Sequence, residues 1–158
     1  METAFPSSTR LVAPRAELNY LDSQSAPISP TATAHDAYRR MTANQSAPLR
    51  AAFFVRDKIS RLFGVEEISG FSGATPAVPP AVGDKLDFFT VESITDQQLV
   101  LTSRDSHLEV MLSVDIDASR VFVTASVKTK NLFGRAYMVP VAIAHKGIVA
   151  SSLRKVSA

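Results

Sequence analysis

The sequence predicts an α+β domain in which a curved antiparallel sheet wraps around a long C-terminal helix. Three features lead there. From Lys85 to Thr129 the apolar residues recur with a period of two, in runs separated by short polar turns. From about Phe133 to Val156 the period is that of a helix, over on the order of 36 Å at about 1.5 Å per residue, enough to cross a whole sheet. Ahead of the strands lie two shorter segments of helical period.

A chain of 158 residues fits one domain, and 46% apolar against 20% charged residues is a globular balance that excludes wholesale disorder. The absence of cysteine excludes a disulfide framework, a thiolate nucleophile and a zinc–cysteine site. Residues 1–14 carry neither a basic start nor a long apolar stretch, so they are expected to be a flexible leader before a single domain over residues 15–158. The longest apolar run, Met138 to Ala144, contains Pro140 and falls far short of the roughly 20 residues that span a bilayer. The expectation is a cytoplasmic protein with no membrane insertion.

Net charge is +2 but unevenly placed: no acidic residue follows Asp117, whereas Arg120, Lys128, Lys130, Arg135, Lys146, Arg154 and Lys155 all do. A basic end can attract an anionic ligand, nucleic acid or a membrane surface. Without dense basic clusters interleaved with aromatics, these residues read as solvated charges and predict no nucleic-acid partner.

Taken in order, Glu17 to Ile28 supplies a first edge strand, ended by Pro27 and Pro30. Thr33 caps a short helix with Asp36 in its first turn and Ala34, Ala37, Tyr38 and Met41 on its buried side. Ser46 and Pro48 open a second helix, with Leu49, Ala52, Phe53, Ile59, Leu62 and Phe63 as its stripe and Gly64 as its stop. Gly70 to Gly83, with three prolines, reads as a long loop.

Leu86–Ile94, Gln98–Ser103, His107–Ile116 and Ser119–Thr129 then read as four strands of an antiparallel meander. In the third, Leu108, Val110, Leu112, Val114 and Ile116 face one way, and His107, Glu109, Ser113 and Asp115 the other. This predicts one buried face and one wet face. On the final helix Phe133, Tyr137, Val141, Ala144, Ile148, Ser152 and Val156 form one stripe, and Pro140 predicts a kink.

Several short matches lie in one order: Pro48-Leu49, Arg56-Asp57, Leu62-Phe63-Gly64, then Gly83-Asp84 opening a strand with Phe89 and Val91. Asp105-Ser106-His107-Leu108 follows, then Asn131-Leu132-Phe133-Gly134-Arg135-Ala136-Tyr137, with His145 eleven residues after the glycine. From Leu18 to Lys155 this pattern resembles domain-of-unknown-function family 2867, a bacterial family grouped with the START-like, helix-grip (SRPBCC) superfamily. The resemblance implies a sheet gripping a long C-terminal helix around an apolar cavity, and it implies no established activity. A cone-shaped barrel of the cystatin or nuclear-transport-factor type would place its main helices ahead of the sheet; the length of the final helix favours the helix grip.

No catalytic motif rises above background, and the sequence favours a non-catalytic protein. The leading expectation is a module that binds a small hydrophobic or amphipathic ligand between sheet and C-terminal helix. His145, Tyr137 and Arg135 are the residues expected to orient it: a half-buried imidazole, a phenol at the helix start and a forked donor for a carboxylate. Filling of that space by Phe53, Phe88 and Phe122 would remove the basis for a ligand. The alternatives are an interaction domain, forming a homodimer through an exposed sheet edge, and an enzyme performing cyclisation, dehydration or hydrolysis with His145 as the one group to test. No cofactor, catalytic residue or metal site is expected. His107 and Glu109, two apart on a strand, have metal-ligand spacing but read as surface residues. Ser69-Gly70-Phe71-Ser72-Gly73 lacks the lysine and the setting of a phosphate loop.

Overall fold

The structure is a computed structural model that describes residues 4–43, 78–87 and 89–157, together with Arg50, Phe54 and Asp57. The expected second helix, the glycine-rich Ser69–Gly73 stretch and most of the long loop lie outside the described residues. After one turn of 3-10 helix (Arg15–Glu17) come β1 (Tyr20–Pro27), α1 (Ala34–Thr42), β2 (Lys85–Leu86), β3 (Phe89–Ile94), β4 (Gln98–Arg104), β5 (Leu108–Asp117), β6 (Arg120–Thr129) and α2 (Leu132–Ser157). The strands form one antiparallel sheet in the order β1-β6-β5-β4-β3-β2. The first strand therefore closes against the last, and β1 is an edge, as the two prolines predict. A register shift between Val91 and Ser93 places a bulge in β3, the usual device for bending a sheet.

α1 forms because Thr33 and Asp36 make a full capping box. The Thr33 hydroxyl accepts the Asp36 amide, and the Asp36 carboxylate accepts the Thr33 amide, each at 3.1 Å. That backbone bond holds the Asp36 carboxyl below its usual range. Ala34, Ala37, Tyr38 and Met41 are all buried, as their spacing predicts. The Tyr38 hydroxyl donates to Asp87 at 2.5 Å, tying α1 to the β2–β3 turn. Asp87 sits there at φ 56°, in the left-handed region that costs an L residue about 1 kcal/mol.

The two faces of β5 differ from expectation. Ser113 and Asp115, expected to be wet, are buried, and so is Met111 beside them. The reason is the chain ahead of β1. Residues 4–14, expected as a loose leader, lie over this outer face. The Thr9 hydroxyl donates to Asp115 at 3.0 Å, the Val12 amide to the Ser126 hydroxyl at 2.9 Å, and Gln98 to the Ser8 carbonyl at 2.8 Å. Beneath them runs a layer of small polar side chains, with Ser23 and Thr124 bonded at 2.7 Å and Thr102, Ser113 and Ser126 buried. Asp115, 2% exposed, receives the Ser113 hydroxyl, Thr9 and the Gln98 amide, so its oxygens are satisfied inside the protein.

The inner face carries the apolar core: Leu99 and Leu101 of β4, Val114 of β5, and Val121 and Val123 of β6, against Tyr38 and Met41 of α1. α2 presents Val149, Leu153 and Val156 to this core, and Met138 to a smaller buried cluster beside it. The expected stripe is thus corrected by about one residue, or about 100° of rotation. Ala144 is exposed, and of the seven stripe positions only Val156 is buried. α2 is apolar nearly all round, so its periodicity could not select the inward side.

What does select it is the junction at the helix start. The Asn131 side chain accepts the Gly134 amide at 2.9 Å, capping the first turn, and its amide nitrogen lies 2.9 Å from the His107 ring. The Lys130 amide donates to the His107 carbonyl at 2.7 Å, and the Phe133 ring lies 4.6 Å from the His107 ring, centroid to centroid. The turn leading to His107 is itself shaped by Asp105, whose carboxylate accepts the His107 and Leu108 amides at 2.7 and 2.9 Å. At Gly134 a Cβ would meet the His107 carbonyl oxygen at 2.4 Å, so only glycine allows this approach. The Asp105–Leu108 and Asn131–Tyr137 matches in the sequence are therefore the two halves of one joint.

Two substitutions test these layers. Gly134→Ala should destabilise the fold by about 1–3 kcal/mol, because a backbone oxygen has to move; thermal or urea unfolding measures it. Asp115→Ala strands the donors of Thr9, Gln98 and Ser113, at a cost of about 1–3 kcal/mol. Its amide exchange should rise first in residues 9–12, where the N-terminal segment is held.

Candidate functional site

On the inner face β6, the strand beside β1, presents apolar side chains, but β1 itself presents Tyr20, Asp22 and Gln24. By register these stand level with Val127, Ala125 and Val123 of β6. An alternating strand at a sheet edge can hold three polar groups in a row facing a helix, because successive inward positions are two residues apart. α2 runs above them and lowers His145 toward the row. The Tyr20 hydroxyl is 3.3 Å from His145 Nδ1, and the two rings meet edge to face with centroids 5.8 Å apart. A phenol donating to Nδ1 leaves the ring proton on Nε2. Gln24 bridges Asp22 to the helix, donating to the Asp22 carboxylate and to the Lys146 carbonyl, each at 3.1 Å.

Burial tunes these groups. It holds His145 below the ordinary histidine value, with the Asp22 carboxylate opposing the shift. It pushes the Tyr20 phenol up to about 12, with Asp22 acting in the same direction. The pair is therefore a neutral imidazole and a neutral phenol at physiological pH. It can donate and accept hydrogen bonds without carrying charge.

Next to this polar row the inner face is not sealed. Leu108, Val127 and Met138 form a small buried cluster separate from the main core, with Val110, Tyr137, Val141 and Ala142 packed on it but only half-buried. Leu112 and Ile116, inward residues of a central strand, are also half-buried. The partly open side chains thus lie toward the core side of β5, while its nominally wet side is covered. Phe122, one of the aromatics whose filling of that space would remove the basis for a ligand, belongs to the outer face, level with Asp115. Phe53 and Phe88 lie outside the described residues.

Of the three expected site residues, the structure turns His145 inward and leaves Tyr137 half-buried on the small cluster, its ring stacked 6.2 Å from Phe133. Arg135 is exposed, about 160° around the helix from Tyr137. It is not brought together with the other two. Sequence reasoning missed Tyr20, Asp22 and Gln24. The one signal was their even spacing along an edge strand whose alternate residues, Leu21 and Ser23, point outward. His107 and Glu109 do not form a pair: His107 packs on Asn131 and Phe133, whereas Glu109 lies 3.6 Å from Arg104 and 3.7 Å from Lys130. Among the described residues no three His, Asp or Glu side chains gather as metal ligands.

A curved antiparallel sheet, a capped helix beside it and a long terminal helix docked along β1 define an α+β domain of helix-grip-like architecture. The chain belongs to the family described as "Protein of unknown function (DUF2867)", which matches residues 15–152 and so takes in the joint, the polar row and His145. No curated protein and no solved structure matches the chain.

The pH dependence of the fold tests the histidine environment. His145 and His35, the latter also lowered chiefly by burial, take up protons more readily in the unfolded chain. Stability should be full above about pH 6.5 and fall as pH drops from there toward the lowered folded values, where their contribution levels off. His145→Gln should flatten part of that slope in unfolding curves measured between neutral and mildly acid pH.

Proposed function

We propose that the chain is a binding module for a small amphipathic molecule held between the inner face of the sheet and α2. The observation that supports this is the partly open floor at Val110 and Leu112, inward residues of a central strand, beside a neutral hydrogen-bonding pair. An apolar body would lie over Val110, Leu112, Tyr137 and Val141, gaining on the order of 25 cal/mol for each Å² of apolar surface removed from water. Its polar end would reach the Tyr20–His145 pair, with Asp22 and Gln24 behind it. Pockets with an apolar lining and a few convergent polar groups are the ordinary form of small-ligand sites.

The Tyr20–His145 pair favours an uncharged polar end, such as a hydroxyl or carbonyl. Both partners are neutral, and a carboxylate would meet Asp22 nearby. Arg135, expected to hold a carboxylate, faces solvent and takes no part. A cytoplasmic setting belongs to this reading.

Native mass spectrometry of the gently purified protein, followed by denaturing extraction, tests the proposal. A stoichiometric organic molecule is expected, lost or reduced in Leu112→Trp, which fills the floor, and weakened about tenfold in His145→Ala, on the scale of one hydrogen bond to a buried group. An apo mass, with no rise in melting temperature from long-chain alcohols or esters, would sink the reading.

A further inference from the structure

The side of α2 turned away from the sheet is as apolar as the side turned toward it. Leu132, Val139 and Ile143 are 80%, 66% and 76% exposed. Spaced seven and four apart, they form one stripe, with exposed Ala136, Pro140 and Gly147 filling its surface. Isolated exposed apolar residues need no explanation, but a continuous row over three turns of one helix does.

The charges around that row have one sign. Arg135 and Lys146, eleven residues apart, lie almost in line along one flank, and Arg154, about 80° further round, lies on the other; all three are exposed. None is in an ion pair among the described residues, whereas Lys128 lies 3.2 Å from Glu17 and Lys130 lies 3.7 Å from Glu109. No acidic residue follows Asp117.

From this arrangement we propose that the outer face of α2 docks on an anionic lipid bilayer, lying in the interfacial plane with Leu132, Val139 and Ile143 among the acyl chains and Arg135, Lys146 and Arg154 on lipid phosphates. An apolar stripe bordered by cations is the pattern of helices that lie on membranes. A second copy of the chain fits less well, because its α2 would set cations against cations with no carboxylate on either helix to pair them. The helix lies on the bilayer and does not cross it. Leu132–Val156 is long and apolar enough to span a bilayer, yet its opposite face, at Met138, Val149 and Leu153, is buried against the rest of the domain.

The chain contains no tryptophan, so Val139→Trp in the full-length protein gives a single reporter. With vesicles of phosphatidylcholine and phosphatidylglycerol at low salt, its emission should shift to the blue and the protein should co-sediment. Both should be lost at high salt, since exposed charges are screened beyond a few ångströms there. Arg135→Gln and Lys146→Gln should each weaken partitioning about fivefold. Ile143→Ser should weaken it further, with circular dichroism unchanged because the site is exposed. Absence of binding to the anionic vesicles would overturn the proposal, as would equal binding to pure phosphatidylcholine. A concentration-dependent dimer abolished by Ile143→Ser would overturn it in favour of a second copy on this face.

Discussion

The close approach of Gly134 to the His107 carbonyl is the constraint on which the rest of the molecule depends. A helix that is apolar nearly all round has no preferred rotation of its own, and a sheet with an apolar inner face will accept it in more than one. Bringing the first turn of α2 against the β4–β5 turn, with Asn131 both capping the helix and bonded to His107, removes that freedom. Once the first turn is set, Met138, Val149, Leu153 and Val156 must face inward. His145 must then arrive above Tyr20, and Leu132, Val139 and Ile143 are left outside. The candidate ligand site and the candidate membrane face are both consequences of one helical phase.

The sheet shows how a domain of this size distributes polarity. Its outer face is not a solvent boundary but a second interior, where Ser, Thr and one Asp are satisfied by one another and by the chain ahead of β1. Such a layer contributes less through burial than an apolar one, but it is directional. The bonds from Thr9 to Asp115, from Val12 to Ser126 and from Gln98 to the Ser8 carbonyl define where residues 8–12 lie more sharply than apolar contact would. The inner face has the reverse character, apolar, with Val110 and Leu112 only half-buried.

Much of this was readable in the sequence, for identifiable reasons. The meander followed from period-two runs broken by short turns, and α1 from a Thr–Asp pair three apart, because these signals are local and each has a single interpretation. The position of β1 beside β6 was legible only as an edge strand; its partner is set by long-range pairing. The rotation of α2 could not be read, since Phe133, Tyr137 and Val141 make as good a stripe as Met138, Val149 and Leu153. The burial of Ser113 and Asp115 was hidden as well, because alternation reports polarity and not what covers it. Of the site, His145 was visible as a lone imidazole on an apolar helix. Tyr20, Asp22 and Gln24 were not, because their meaning comes from facing a helix more than a hundred residues away.

The pairing of β1 with β6 has a further consequence, for the order of events as the chain folds. Ser23 and Thr124, whose hydroxyls are bonded across this seam, are 101 positions apart. Hairpins β3–β4, β4–β5 and β5–β6 close over a few residues each. The first strand, by contrast, must wait for the last, and the entropy of closing that long loop is lost before the seam returns anything. Topologies dominated by such distant contacts fold in milliseconds to seconds rather than microseconds. Until the seam forms, β6 has a bare edge and α2 lacks the strand along which it docks, so the interval in which the chain is most open to mispairing is set by how quickly its beginning finds its end.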